Sequence, residues 1–212
     1  MNSLGMKPEE IENLSFKIID SEAGDHGWSG AQWNIVRRVI HTSADFEYVN
    51  SMIFSDDAVD KAIAALKSGA GIVTDTTMAL SGISKPRLLP WGCTVTCHVA
   101  DTDVGILAKR EGATRSVLAI RKAVTILHNR IFVIGNAPTA LFELLRLIES
   151  GQIKPALVIG LPVGFVGAEE SKNALATCKR EVPFITNRGR KGGSGVAAAV
   201  VNALAILAAE KQ

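Results

Sequence analysis

The sequence predicts an α/β protein: a three-layer α/β/α sandwich with a mainly parallel five-stranded sheet and a helical N-terminal third. Three observations predict it. Up to Gly69, apolar side chains recur at helical spacing. From Gly71 onward, short β-rich runs bounded by Gly, Asp or Asn alternate with helical stretches, the pattern of a parallel sheet covered on both faces. The chain's 212 residues, 47% of them apolar, suffice for one large core, and no linker composition divides them, so residues 1–212 are expected to form a single domain.

Taken in order, Pro8, Glu9 and Glu10 suit the first turn of a helix whose apolar stripe is Ile11, Leu14, Ile18 and Ile19. Ser15 falls inside that stripe, where it either bonds back to the carbonyl four residues earlier or points into a polar cavity. Ser29 caps a second, amphipathic helix that runs to Asp45 on Trp33, Val36 and Ile40. Ser55, Asp56 and Asp57 start a third, continuing through Val59, Ala62, Ile63 and Leu66 to Gly69. The five strands are placed at 71–75, 94–99, 131–135, 156–160 and 184–186. Helices at 103–111, 114–129, 138–150, 168–180 and 194–210 lie between and after them. Right-handed crossovers bring the strand C-terminal ends to one edge, and ligands of such sheets bind outside those ends.

The loops on that edge are Asp75-Thr-Thr, Gly135-Asn-Ala-Pro-Thr, Gly160-Leu-Pro-Val-Gly-Phe-Val-Gly and Asn187-Arg-Gly-Arg-Lys-Gly-Gly-Ser-Gly. Glycine lets backbone approach a ligand closely, and amides at a following helix N-terminus attract anions. Arg188, Arg190 and Lys191 add charge to such a cradle for carboxylate or phosphate. Arg115 opens the 114–129 helix, the end where the macrodipole disfavours a cation. It pairs either with an anionic ligand or with a nearby Glu.

His41 lies in the last turn of the second helix, one step from the Trp33/Ile40 stripe. Positive charge is favoured at a helix C-terminus, typically by a few tenths to about 1 kcal/mol, and imidazole exchanges protons near neutral pH. Two readings follow: a proton donor at a pocket edge, or a C-capping side chain that only satisfies the last carbonyls.

Composition excludes several classes. A net charge of +2 and few aromatic residues argue against nucleic-acid binding. Three cysteines, Cys93, Cys97 and Cys178, suit reduced thiols in a cytoplasmic protein. No signal peptide is evident, and the apolar run 196–209 is too short to span a bilayer, so it reads as a buried helix or a subunit interface. Gly193-Ser-Gly195-Val-Ala-Ala198 matches a dinucleotide fingerprint, but no second strand and ribose-binding acid follow it. A P-loop is absent as well, so neither NAD nor ATP is implied. Cys93 and Cys97, in a strand, would be spread over about 13 Å, which suits core packing better than a metal. His26, His98 and His128 show no triad spacing, and there is no nucleophile elbow.

Ser15-Phe16, Arg38-Val-Ile-His41, Arg87-Leu, Thr114-Arg-Ser116, Gly135-Asn-Ala-Pro-Thr-Ala-Leu141, Leu161-Pro-Val-Gly-Phe-Val-Gly-Ala168-Glu-Glu-Ser-Lys172 and Gly189-Arg-Lys-Gly-Gly-Ser194 together resemble the precorrin-8X methylmutase family, also called cobalt-precorrin-8 methylmutase. The resemblance spans nearly the whole chain. It implies methyl migration from C11 to C12 of a corrinoid ring, giving hydrogenobyrinate or cobyrinate in cobalamin biosynthesis. It implies His41 as the catalytic residue acting on a ring nitrogen, with no cofactor. It also implies substrate binding by Ser15, Ser84, Arg115, Arg188, Gly192, Gly193 and Ser194, and a homodimer with a shared pocket. Two other readings remain at this point: a tetrapyrrole carrier without turnover, and a small α/β enzyme acting on phosphorylated metabolites.

Overall fold

The structure, a computed structural model, describes residues 5–126 and 130–210. The chain opens with helices α1 (Pro8–Ala23), α2 (Gly30–Ser43) and the short α3 (Tyr48–Ser51), then β1 (Met52–Phe54), α4 (Ala58–Lys67) and β2 (Gly71–Thr74). Two short helices, α5 (Thr77–Gly82) and α6 (Lys85–Leu88), lead to β3 (Val95–Cys97). Then come α7 (Thr102–Glu111), α8 (Arg115–Ile126), β4 (Arg130–Ile134), α9 (Pro138–Glu149), β5 (Leu157–Gly160), α10 (Ala168–Ala176), β6 (Phe184–Asn187) and α11 (Ser194–Glu210). His128 and the last three residues of the helix expected at 114–129 lie outside the described residues.

The sheet has six strands among the described residues, in the order β1-β6-β5-β4-β2-β3, not the expected five. The additional strand is β1, antiparallel to β6, whereas every other pairing is parallel. Three residues are too few to show a period of two. Their pairing is extended by Ser55, whose hydroxyl accepts from the Phe184 amide at 2.9 Å. That bond corrects the expected start of the third helix: Ser55 belongs to the strand end, and α4 begins at Ala58 after Asp57 turns through a left-handed conformation at φ 58°.

Two apolar layers sandwich the sheet. On one face α2, α4, α5 and α11 surround Ile72, Ile131, Ile159 and Ile185, and on the other α8, α9 and α10 cover Val73, Phe132, Ile134 and Val158. Alternate residues of one strand serve opposite faces, as the pleat requires. The apolar run near the C-terminus is α11, most of whose residues are buried inside the chain itself, so its apolarity serves the core. The first helix forms as expected, but of its stripe only Ile19 is buried. Ile11 and Ile18 stay exposed, and α1 meets α2 through Ile19 and Phe16 together with two ion pairs, Asp20 with Arg37 and Glu12 with Arg38.

Candidate functional site

The parallel strands put the ends of β2, β4, β5 and β6 on one edge, and their loops interlock there. At Gly135 an added Cβ would stand 2.7 Å from the Ser194 Cα, so only glycine lets the start of α11 sit on the end of β4. The Ser194 hydroxyl lies 2.8 Å from that of Thr76, tying the β2 loop to the same helix start. Asp75 is buried, and its carboxylate accepts the amides of Gly135, Asn136 and Ala137 at 2.9, 2.9 and 2.8 Å. Burial pushes its pKa up, and the three amides pull the other way. The strand order reverses between β2 and β4, the place where α/β sheets often bind ligands. Here a side chain of the protein already fills it.

The 188–193 loop lies beside this block. Gly193 donates to the Leu161 carbonyl at 2.9 Å, and Gly164 donates to that of Arg190 at 3.2 Å. The Arg190 guanidinium lies 5.7 Å from the Phe165 ring. A Cβ on Gly192 would fall 2.3 Å from the Leu161 oxygen and 2.6 Å from that of Pro162, so this residue is a spacer between two loops. Lys191 bonds Asp45 at 2.5 Å and Glu47 at 3.0 Å, which joins the loop to the segment after α2 and holds the Asp45 carboxyl below its usual range. Lys191 is therefore neutralised, leaving Arg188 and Arg190 as the loop's cations. Arg188 is exposed, with its amide bonded to the Ser51 carbonyl.

His41 stands in the last turn of α2, whose end borders the start of α11. A Cβ on Gly195 would lie 3.9 Å from the Thr42 methyl. As expected, Ser29 caps the other end of this helix, in a reciprocal box with Gln32. At the C-terminal end, Thr42 and Ser43 bond the Arg38 and Val39 carbonyls at 2.9 and 2.8 Å, and the Ala44 amide takes that of Ile40. The capping role is thus filled by His41's neighbours. The imidazole is exposed, makes no hydrogen bond among the described residues, and lies 5.2 Å from the Phe16 ring. Arg37 and Arg38 also approach that ring, at 4.6 and 5.1 Å.

The remaining expected residues fall in two groups. Ser15, half-buried on α1 next to Phe16, makes no hydrogen bond among the described residues, so the back-bond to the carbonyl four residues earlier is absent. Arg115 is exposed at the start of α8, lies against Gly105 of α7 and forms no ion pair among the described residues. Ser84 stands apart. Its amide bonds Asn202 on α11, which is about 12 Å of helix rise beyond Ser194. Ser194 itself is buried. Of the other candidates, Cys93 donates to the Leu66 carbonyl at 3.1 Å and His98 bonds Asp101 at 2.9 Å. No three His, Cys, Asp or Glu side chains among the described residues converge as metal ligands. No helix among them is long and apolar enough to cross a membrane.

Sequence reasoning put Asp75 and Asn187 at the head of two edge loops but gave neither a role of its own, and gave none to Lys172. Lys172 is buried under the loop, 3.1 Å from the Asn187 Oδ1 and 2.6 Å from the Lys191 carbonyl.

Comparison with known proteins adds an independent line. The CbiC family model, described as precorrin-8X methylmutase, matches residues 10–207. The cobalt-precorrin-8 methylmutase of Priestia megaterium is 50% identical over 205 residues, covering 97% of this chain and 90% of that protein. The precorrin-8X methylmutase of Pseudomonas aeruginosa is 44% identical, with 93% and 94% covered. A crystal structure of precorrin-8X methylmutase from Thermus thermophilus superposes with a TM-score of 0.86 at 41% identity, over 95% of this chain and 98% of that one.

Proposed function

The chain belongs to the precorrin-8X methylmutase family of intramolecular methyl transferases, and from that premise we propose that it converts precorrin-8X or cobalt-precorrin-8 to hydrogenobyrinate or cobyrinate by moving a methyl group from C11 to C12. The observation that carries the site assignment is the His41 imidazole, exposed and unbonded 5.2 Å from the Phe16 ring while its neighbours Thr42 and Ser43 do the capping. His41 gives a proton or hydrogen bond to a ring nitrogen near the migrating methyl. That withdraws electron density from the ring as the C11–methyl bond breaks and the C12–methyl bond forms. The proton is returned, so atoms and charge balance as in any isomerisation. General acid assistance of this kind is worth about 100- to 10,000-fold.

A corrinoid is an apolar disc rimmed with carboxylates. In this reading Arg115, Arg188 and Arg190 hold acid arms, Ser15 bonds near the Phe16/His41 end, and the Gly193 backbone comes close to the ring. Gly192 and Ser194 serve indirectly, by setting the loop and the start of α11. A second copy of the chain, meeting the apolar tip Phe165 and Val166 (85% and 90% exposed), would complete a shared pocket and supply Ser84 from the partner's surface. The reaction's place is the cytoplasm, and this chain's residues need no further cofactor for it.

Absorption spectroscopy tests the reading. Purified protein mixed with cobalt-precorrin-8 should shift the substrate spectrum to that of the cobyrinate product. Tight pigment binding with no spectral conversion would instead identify a carrier.

A further inference from the structure

Lys172 places a full positive charge where the fold offers it little compensation. It is 1% exposed, and its ammonium meets two neutral acceptors, the Asn187 Oδ1 and the Lys191 carbonyl. Asn187, also 1% exposed, turns its own amide nitrogen to the Arg188 and Lys191 carbonyls, both at 3.0 Å. The two side chains thus close the first turn of the 188–193 loop from below. No carboxylate touches the ammonium. Glu169 acts on it only through its field, from the same helix. On β6 it meets neutral Asn187. The ammonium of Lys191 is taken by Asp45 and Glu47, and on α9 Glu143 is taken by Arg121 and Arg146. A methionine would fill the same space without the cost of burying a charge, so packing alone does not call for lysine.

We propose that Lys172 is a positioning residue for substrate: it locks the turn that carries Arg188 and Arg190, and its charge, buried beneath that turn, favours a carboxylate on the outer side. The inference rests on the reading of a carboxylate-rimmed substrate given above. An anion across the loop supplies the countercharge that the fold withholds, and the low-dielectric surroundings strengthen the attraction. Burial lowers the lysine pKa to about 8. A neutral amine could still donate both hydrogen bonds, so above that pH the turn persists while the charge is lost.

The test compares wild type with Lys172→Met and Lys172→Gln on cobalt-precorrin-8, reading KM and kcat separately. Both variants should raise KM by about tenfold or more with kcat held within about threefold, the signature of lost substrate binding rather than lost chemistry. A folded variant with wild-type KM overturns the proposal. If neither variant folds, wild-type KM decides: it should rise between about pH 7 and about pH 9.5, and a flat profile overturns the proposal. Wild type that neither binds nor converts the substrate removes the parent reading along with this one. Wild-type conversion with unchanged variants removes this one alone.

Discussion

The Asp75 carboxylate lies 2.8 Å from the amide of Ala137, at the start of α9, and also takes the amides of Gly135 and Asn136. One residue after β2 therefore organises the whole loop after β4, on which the start of α11 rests. Asp75→Asn would turn an NH2 group toward those amides and strand at least one buried donor. Stability should fall by about 2–4 kcal/mol, measured by urea denaturation. An unchanged midpoint would show that the loop holds its shape without the acid.

Gly192 separates two backbones that leave no room for a side chain. Gly192→Ala should cost about 2 kcal/mol or more and weaken substrate binding as well, because the 188–193 loop must lift away from Leu161 and Pro162. Thermal unfolding and KM measured on the same preparation check both effects. A stable variant with normal KM would mean that the loop already tolerates the displacement.

Arg115 contributes no ion pair to the fold among the described residues. Arg115→Gln should therefore leave the melting temperature unchanged while raising KM about tenfold, with kcat nearly intact. Unchanged KM would place the substrate's acid arms elsewhere on the edge.

Lys172 links stability to pH with a definite sign. Its folded-state pKa, about 8, lies below the ordinary value of 10.5, so between these limits the unfolded chain binds more protons than the folded one. By linkage the folded state gains stability as pH rises through that window. Wild type should accordingly gain on Lys172→Met between about pH 8 and about pH 10 in paired denaturation curves, even as substrate affinity falls over the same range. A stability difference constant with pH would contradict a buried, charged Lys172.

Local patterning made much of this legible in the sequence. The alternation beyond Gly71 gave the parallel strands and thus the edge on which the glycine-rich loops lie, and Ser29 gave the start of α2. The strand β1 escaped because three residues carry no readable period and its partner is more than 130 residues away. Short helices such as α5 and α6 lack the turns needed to show an apolar stripe. At the site, His41 was visible from its place in a helix end, but the choice between capping and catalysis was not. Nor was it visible that Thr42 and Ser43 fold back onto Arg38 and Val39 and so take the capping bonds themselves. Lys191 looked like part of an anion cradle because Asp45 and Glu47, its partners, are remote in sequence. The roles of Asp75 and Lys172 were missed for the same reason: their partners are contributed by other strands and loops. An acid directly after a β2 strand, and a lysine in a helix that packs under a basic glycine-rich loop, are the signals that could have pointed to them.

The most direct measurement on the central claim is the spectral conversion of cobalt-precorrin-8 by His41→Ala, alongside binding of the same pigment. The account predicts that the variant folds and still binds pigment, while kcat falls by about 100- to 10,000-fold. Conversion at the wild-type rate would contradict it, and the proton would then have to come from another group.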